Sequence, residues 1–252
     1  MMQRRLIAAM AATVSVAACA YNEDLGRKQF LLVSNDSLVS ASNQAWAETL
    51  RQGRVSQNTS YNARVTTVGQ KLVQAAGVAD RPWQYVVFED ASANAFVLPG
   101  GQIGVNTGLL ALVQNDDQLA AVIGHEIGHL TAQHAAERYS QTAASQAIVA
   151  AGASAVGGTG TEKARLLSSL GGAGAQVGFL LPFSRRHELE ADALGVDYMA
   201  RAGYRPSEAV ALWRLMAQNR TAGGPPQMLS THPTEEARIQ ALEALIRQRG
   251  LS

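Results

Sequence analysis

The sequence predicts an α+β fold that is mainly α-helical, with a small β-sheet beside one apolar helix. Apolar residues recur at spacings of three and four positions over roughly Ser37–Gln52 and Tyr61–Ala76, as they do on amphipathic helices. A run of β-branched and aromatic residues at Trp83–Asp90 predicts a strand. The apolar helix is predicted from the stretch AVIGHEIGHLTAQH, Ala121–His134, which carries three of the five histidines of the chain.

The strands and helices around this stretch follow from local signals. Two strands, Ala95–Leu98 and Gln102–Asn106, are predicted as a hairpin, with Pro99 and Gly100 at the centre of a type II turn. One helix is predicted from the N-cap Asn115 to about residue 140, with Gln118 reaching back to the cap. Further helices are predicted as a pair within 142–181, at Arg185–Ala202, at Pro206–Gln218 and over 234–250.

The composition suits a globular protein and gives no electrostatic case for binding nucleic acid. Of the 252 residues, 47% are hydrophobic and 16% are charged, so the chain can bury a sizeable core. The formal net charge is +1, so we expect no nucleic-acid partner.

The N-terminus is typical of a bacterial secretory signal. Residues 1–5 form a short basic region that contains Arg4 and Arg5. Residues 6–18 carry no charge and are too few for a mature membrane span. The sequence VAAC, which ends at Cys19, resembles the lipobox of bacterial lipoproteins. The resemblance implies removal of residues 1–18, lipidation of Cys19 and anchoring to the outer membrane of a Gram-negative cell, facing the periplasm. Residues 19–35 are then the lipidated cysteine and a tether, and residues 36–252 are the folded domain.

One alternative remains open for this region. The triplet Ala18-Cys19-Ala20 also fits a cleavage site for soluble periplasmic proteins. Loss of Arg4 and Arg5 with the signal lowers the formal charge from +1 to −1 in either case.

The histidine-rich stretch has the spacing of a zinc site. On one continuous helix, if His125 is at 0°, Glu126 lies near roughly 100°, His129 near roughly 40° and His134 near roughly 180°. The motif His-Glu-x-x-His on a helix is typical of zinc peptidases, because both histidines can reach one Zn²⁺ while the glutamate reaches the water that the metal activates. An ordinary helix on which Glu126 pairs with the histidines is the alternative. His134 is predicted to face away and to make a structural hydrogen bond.

A catalytic zinc needs a third protein ligand. The segment SRRHELEAD supplies Glu188, Glu190 and Asp192. Glu188 and Asp192 share a helix face, whereas Glu190 lies about 200° from Glu188. That face offers a ligand in Glu188 and, in Asp192, an acceptor for the free N–H of a ligating histidine. The alternative is an exposed acidic turn paired with the preceding arginines.

Four motifs in order resemble one family: NAFVLPGG, GHEIGHLTAQH, SRRHELEAD and LSTHPTEEARI. They are similar to the HtpX-like gluzincin zinc metallopeptidases of the BepA, LoiP and Oma type, and most similar to a single-domain periplasmic lipoprotein of the LoiP kind. The resemblance implies a zincin-type domain and one Zn²⁺ per chain, held by His125, His129 and Glu188. It also implies that Glu126 is the catalytic base and that Asp192 orients a ligand.

The same resemblance places further residues at the site. The strand formed by Ala95, Phe96, Val97 and Leu98 would line the substrate cleft, and His232 and Arg238 would approach the metal. His232 could cap the helix that follows it, stabilise the oxyanion, or occupy the open zinc position and hold the enzyme inactive.

The His-Glu-x-x-His motif therefore predicts a zinc-dependent metalloendopeptidase that works by Glu-assisted attack of water. The family resemblance implies that it serves envelope quality control and cleaves unfolded or misassembled proteins. Expected partners are extended polypeptides, the outer membrane through Cys19, and the outer-membrane assembly machinery. The alternative is a periplasmic chaperone or assembly factor with a latent or inactive zinc site. A peptidase acting on a single partner is a third hypothesis.

Overall fold

The structure is a computed structural model that describes residues 19–155, 183–219, 227–232 and 236–251. The described residues fall into two compact units, one of 19–38 with 135–155 and one of 39–134 with the described residues from 183 onward. The predicted signal peptide lies outside the described residues, as does the part of the predicted helical pair beyond residue 155.

The predicted mainly helical α+β fold is confirmed. The described helices are α1 (Asn35–Gln52), α2 (Thr59–Ala75), α3 (Thr107–Leu112), α4 (Asp116–Thr131), α5 (His134–Ala155), α6 (Arg185–Arg201), α7 (Ser207–Gln218), α8 (Gln227–Thr231) and α9 (Glu236–Gln248). The described strands are β1 (Cys19–Asn22), β2 (Arg27–Phe30), β3 (Gln84–Phe88), β4 (Ala95–Leu98) and β5 (Gln102–Asn106). No helix among the described ranges is both long and apolar enough to cross a bilayer.

The smaller unit contains a two-stranded ribbon within the segment expected to be a tether. β1 and β2 pair antiparallel, with Cys19 opposite Phe30. Glu137, near the start of α5, accepts hydrogen bonds from Arg27 at 2.7 Å and from Gln29 at 2.8 Å. Because Gln29 and Glu137 are buried, these charge-assisted bonds fix the ribbon against α5 within this unit.

The three-stranded sheet of the larger unit has the order β3-β5-β4. β3 runs parallel to β5, and β4 runs antiparallel to it. All five residues of β5 are buried, as expected for the central strand. β4 is therefore an edge strand within the described part of the chain, and it packs against α4.

The predicted hairpin of β4 and β5 is present, but the predicted type II turn is wrong. Gly101 has a φ of 90°, whereas Gly100 is not in the positive-φ region that a type II turn requires. The pairing of Leu98 with Gln102 leaves three residues in the loop. A three-residue hairpin loop commonly needs a left-handed residue at its last position, and Gly101 provides it.

The prediction of one helix from Asn115 to residue 140 is also wrong, although its start is confirmed. Asn115 caps α4 by accepting a hydrogen bond from the Gln118 N–H at 2.8 Å. α4 ends at Thr131, and Gln133 has a φ of 53°, a left-handed conformation that interrupts the helix. His134 then begins α5.

α4 and α6 pack closely because small residues face each other along the contact. A Cβ added at Gly128 would lie 2.7 Å from the carbonyl oxygen of Ala191, and one added at Gly195 would lie 3.0 Å from the backbone nitrogen of His125. These glycines allow the two backbones to approach, which brings the histidines of α4 next to the carboxylates of α6.

Candidate metal centre

Two histidines from α4 and one glutamate from α6 meet in the interior of the larger unit. The Nε2 atoms of His125 and His129 are 3.1 Å apart. The carboxylate of Glu188 lies 3.4 Å from His125 Nε2 and 3.5 Å from His129 Nε2. All three side chains are buried, so their polar atoms face one another and not bulk water.

The spacing of these atoms fits a tetrahedral metal ion. Ligands about 2.0–2.1 Å from a zinc ion are separated by about 3.3 Å along each edge of a tetrahedron. The measured distances between the donor atoms of this cluster are close to that edge. Two imidazoles and one carboxylate also form the donor set of a known class of catalytic zinc site.

Glu126 lies beside the cluster without joining the three ligands. Its carboxylate is buried, and its Oε1 accepts no hydrogen bond from the described residues, although His232 Nε2 is 3.3 Å away. Burial raises the pKa of Glu126, because it disfavours the charged form. A buried carboxylate with an unused oxygen and a raised pKa has the properties of a general base.

The two histidines differ in their electrostatic surroundings. Burial alone would lower the pKa of His125, but hydrogen bonds with Asp192 and Glu188 raise that pKa to about 9. Burial dominates at His129 and lowers its pKa well below the ordinary value. Although burial opposes it, hydrogen bonding with the histidines holds the pKa of Glu188 below its usual range, so Glu188 is ionised and available as a ligand.

Asp192 takes the position predicted for an acceptor behind one ligand. Its Oδ1 lies 2.9 Å from His125 Nδ1, so the Nδ1–H is donated to Asp192 and the other ring nitrogen, Nε2, is the one that would bind a metal in the cluster. Arg238 from α9 donates to both oxygens of Asp192, at 2.7 and 2.8 Å, and its Nη1 lies 2.6 Å from Glu188 Oε2. The guanidinium also lies over the ring of Trp213, 4.2 Å from the ring centroid.

His232 follows α8 directly and its ring lies in the cluster. Its Nδ1 is 3.0 Å from Glu188 Oε1 and 3.3 Å from His125 Nε2. These two separations are close to the edge of that tetrahedron and the ring is buried, so His232 is a candidate fourth ligand. Of the three hypotheses for His232, the geometry favours the two that place it at the active site.

Sequence reasoning missed three residues that touch the cluster. Trp213 packs edge-on against the ring of His125, Phe183 stacks on the ring of His129 at 3.9 Å, and His134 Nδ1 lies 2.9 Å from His129 Nδ1. His134 is not among the side chains that could hold the metal, and it makes the structural hydrogen bond that was predicted. Only its direction around α4 differs from the prediction, which assumed a helix that does not break at Gln133. The contacts of Trp213 and Phe183 are tertiary, and no spacing rule in the sequence indicates them.

The substrate strand and the lipidation site that the sequence predicts are both within the described residues. Ala95, Phe96, Val97 and Leu98 form β4 itself. Cys19 is exposed and lies at the start of β1, in the smaller unit.

Comparisons with known proteins agree with this geometry. A model of peptidase family M48 matches residues 59–246. The chain is 37% identical over 180 residues to the mitochondrial metalloendopeptidase OMA1 of Schizosaccharomyces pombe, covering 71% of this chain and 51% of that protein. It is 30% identical over 183 residues to the beta-barrel assembly-enhancing protease of Escherichia coli, covering 69% of this chain and 37% of that protein. The chain therefore matches about half or less of the length of these relatives.

Proposed function

Since the chain belongs to peptidase family M48 and is a metalloprotease, we propose that it is a zinc endopeptidase acting on unfolded or misassembled envelope proteins. The observation that carries the proposal is the convergence of His125, His129 and Glu188 at tetrahedral spacing, with the buried carboxylate of Glu126 beside them. A purely structural metal site has no need of a base at that position.

Each side chain at the site has a separate role in the proposed peptide hydrolysis. His125, His129 and Glu188 would hold the zinc ion, which when bound activates water near neutral pH and polarises the scissile carbonyl. Glu126 takes the proton from the attacking water and delivers it to the leaving amine. Arg238 is engaged by two carboxylates, so we assign to it the positioning of Glu188 and Asp192.

His232 supports a latent resting state, which is the second candidate role for the site. Its ring occupies the corner that a catalytic zinc leaves open for water and substrate. Movement of α8 would carry His232 away from that corner, and its imidazole would then be available to donate to the developing oxyanion. The contact of His232 with His125 and Glu188 also supports the alternative function, that of a chaperone or assembly factor whose zinc site stays closed.

The substrate class is proposed from the relatives and from the edge of β4 that no other described strand pairs with. An edge strand next to a catalytic helix can bind an extended peptide through its backbone, with little selection by side chain. This mode suits unfolded proteins. The Escherichia coli relative is named for enhancing β-barrel assembly, which supports an envelope role for this chain too.

The decisive experiment compares the wild-type protein from Ala20 onward with its Glu126→Gln variant. Zinc content and casein cleavage are measured in parallel. We expect both proteins to bind one zinc and only the wild type to cleave, because glutamine preserves shape but cannot accept the proton. If both bind zinc and neither cleaves, His232→Ala decides between latency and absence of protease function: cleavage in that variant indicates latency, and its absence rejects the protease.

The proposed location has a separate test. Cys19 lies at the junction that resembles a lipobox, and we propose that it carries the lipid anchor. Wild-type protein should incorporate a labelled fatty acid and fractionate with the outer membrane, whereas Cys19→Ala should lose both properties. Unlabelled wild-type protein in the periplasmic fraction would favour the soluble alternative.

A further inference from the structure

His134 is placed against the metal cluster by the break between α4 and α5. On a continuous helix it would lie about 140° around the axis from His129. The left-handed backbone at Gln133 redirects the chain instead, and His134 Nδ1 comes to 2.9 Å from His129 Nδ1. The contact therefore depends on a local distortion that brings one particular side chain to the back of a ligand.

The hydrogen positions along this contact follow from chemistry. His129 Nε2 faces His125 and Glu188, so as a metal ligand it must present a lone pair there and carry its hydrogen on Nδ1. Two Nδ1 atoms in contact need one donor and one acceptor, so His134 accepts at Nδ1 and carries its own hydrogen on Nε2. That Nε2–H points to Glu190 Oε2 at 3.0 Å.

The chain of hydrogen bonds ends on an ion pair at the surface. Glu190 Oε1 accepts from Arg186 Nε at 2.8 Å, and the Arg186 side chain is 64% exposed. The carboxylate that fixes the orientation of His134 is thus itself held in place. Glu190 lies on the face of α6 away from Glu188, which is why it can serve this contact without entering the metal cluster.

Both imidazoles are held rigidly by stacking. The ring of His134 lies 4.4 Å from that of His187 at an interplanar angle of 21°, and His134 is completely buried. The ring of His129 stacks on Phe183 at 3.9 Å and 28°. Neither ring can turn freely, so the direction of the hydrogen bond between them is fixed.

We propose that His134 is a positioning residue for the metal, which with Glu190 fixes the tautomer and orientation of His129. The two ligand histidines are then oriented by different hydrogen bonds. His125 donates directly to the carboxylate of Asp192, whereas His129 donates to the imidazole of His134, which in turn donates to the carboxylate of Glu190. The inference rests on the metal-binding role of His129 proposed above and does not depend on proteolysis.

The test uses three variants of the full chain and the zinc affinity of each, measured by competition with a chromophoric chelator. His134→Leu removes the acceptor, and we expect zinc affinity to fall by about 10- to 100-fold. His134→Asn places an amide oxygen near the position of Nδ1, so we expect it to restore most of the affinity. Glu190→Gln keeps an acceptor but removes the charge, and should give a smaller loss than His134→Leu.

A second readout needs neither bound metal nor activity. Nitrogen-15 NMR of the histidine side chains in metal-free protein should show His129 as the Nδ1–H tautomer in the wild type and in His134→Asn, and a loss of that preference in His134→Leu. If His134→Leu does not fold, His134→Asn and Glu190→Gln still carry the test.

Two results would overturn the proposal. One is a His134→Leu variant with unchanged zinc affinity and an unchanged His129 tautomer. The other is a loss of zinc affinity that is equal in all three variants and proportional to their loss of thermal stability. In that case His134 would only stabilise the fold. If the wild type and the His232→Ala variant both bind zinc and neither cleaves, the proposed function is rejected and this assignment still stands.

Discussion

Arg238 contacts two of the three buried carboxylates at the metal site, those of Glu188 and Asp192 but not that of Glu126. Each of the two lies within 2.9 Å of the guanidinium. The side chains of Arg238, Glu188 and Asp192 are each at most 6% exposed. Removing one member of a buried ion pair leaves the other charge without compensation, which is more costly than losing a surface pair. Arg238 therefore stabilises the fold around the metal as well as positioning the ligands.

Replacement of Arg238 by glutamine should destabilise the protein strongly. We expect the free energy of unfolding in urea to fall by about 3–5 kcal/mol in chelator, since two buried carboxylates lose their counter-charge. The fall should be smaller in excess zinc, because the metal cation would offset part of the negative charge. The control is Arg247→Gln, whose side chain is 71% exposed and 3.8 Å from Glu243, and it should change stability by less than about 0.5 kcal/mol. Equal effects of the two substitutions would contradict this role for Arg238.

The sequence predicted the residues of the cluster where local spacing determines the geometry. His125 and His129 are one turn apart on α4, and Glu188 and Asp192 are one turn apart on α6, so each pair must share a face. The partners Trp213, Phe183 and His134 were not predicted, because their positions depend on tertiary packing or on a single distorted residue. Helical spacing predicts the direction of a side chain only within one continuous helix, and His134 lies beyond the end of α4.

At the scale of elements, β4 presents an ordered row of backbone groups at the edge of its sheet. Asn106 N donates to Asn94 O at 2.9 Å, and hydrogen-bonded positions alternate along an antiparallel ladder. Phe96 therefore bonds to β5, whereas the N–H and C=O of Ala95 and Val97 point away from it. The outward carbonyl just before the strand, that of Ala93, accepts from Met228 N of α8 at 3.3 Å, which agrees with this alternation.

Substitution of Val97 by proline should weaken binding of extended substrates. Proline removes an N–H that points outward, so the ladder with β5 is retained. Loss of one backbone hydrogen bond to substrate costs about 0.5–1.5 kcal/mol, which lowers kcat/KM for casein by about two- to tenfold. Zinc content should stay constant, and Val97→Ala, which changes only the side chain, should cleave like the wild type. Unchanged kcat/KM in Val97→Pro would mean that substrates do not pair with this edge.

The whole larger unit is organised by contacts between residues far apart in sequence. The candidate ligands come from α4 and α6, His232 follows α8, and Arg238 belongs to α9. His125 and His232 are separated by 107 positions and lie 3.3 Å apart. A metal ion bound by such residues links segments that only the folded chain brings together, so its binding free energy adds to folding stability.

Zinc should therefore raise the thermal stability of the protein, whether or not the protein is catalytically active. At a free zinc concentration about 1,000 times Kd, the folded state gains about 4 kcal/mol. For a unit of this size, that gain raises Tm by about 8–16 °C in calorimetry. Glu126→Gln should show the same increase, because Glu126 is not a ligand, whereas Glu188→Gln should show a much smaller one.

Two outcomes would contradict this prediction. A wild-type Tm that does not respond to chelation would show that zinc does not bind the folded chain. A full increase of Tm with zinc in Glu188→Gln would show that Glu188 is not a ligand. Comparison of Glu126→Gln with Glu188→Gln separates zinc binding from catalysis. Both substitutions remove one buried negative charge from the same cluster, so a difference in their response to zinc reports on the ligand role alone.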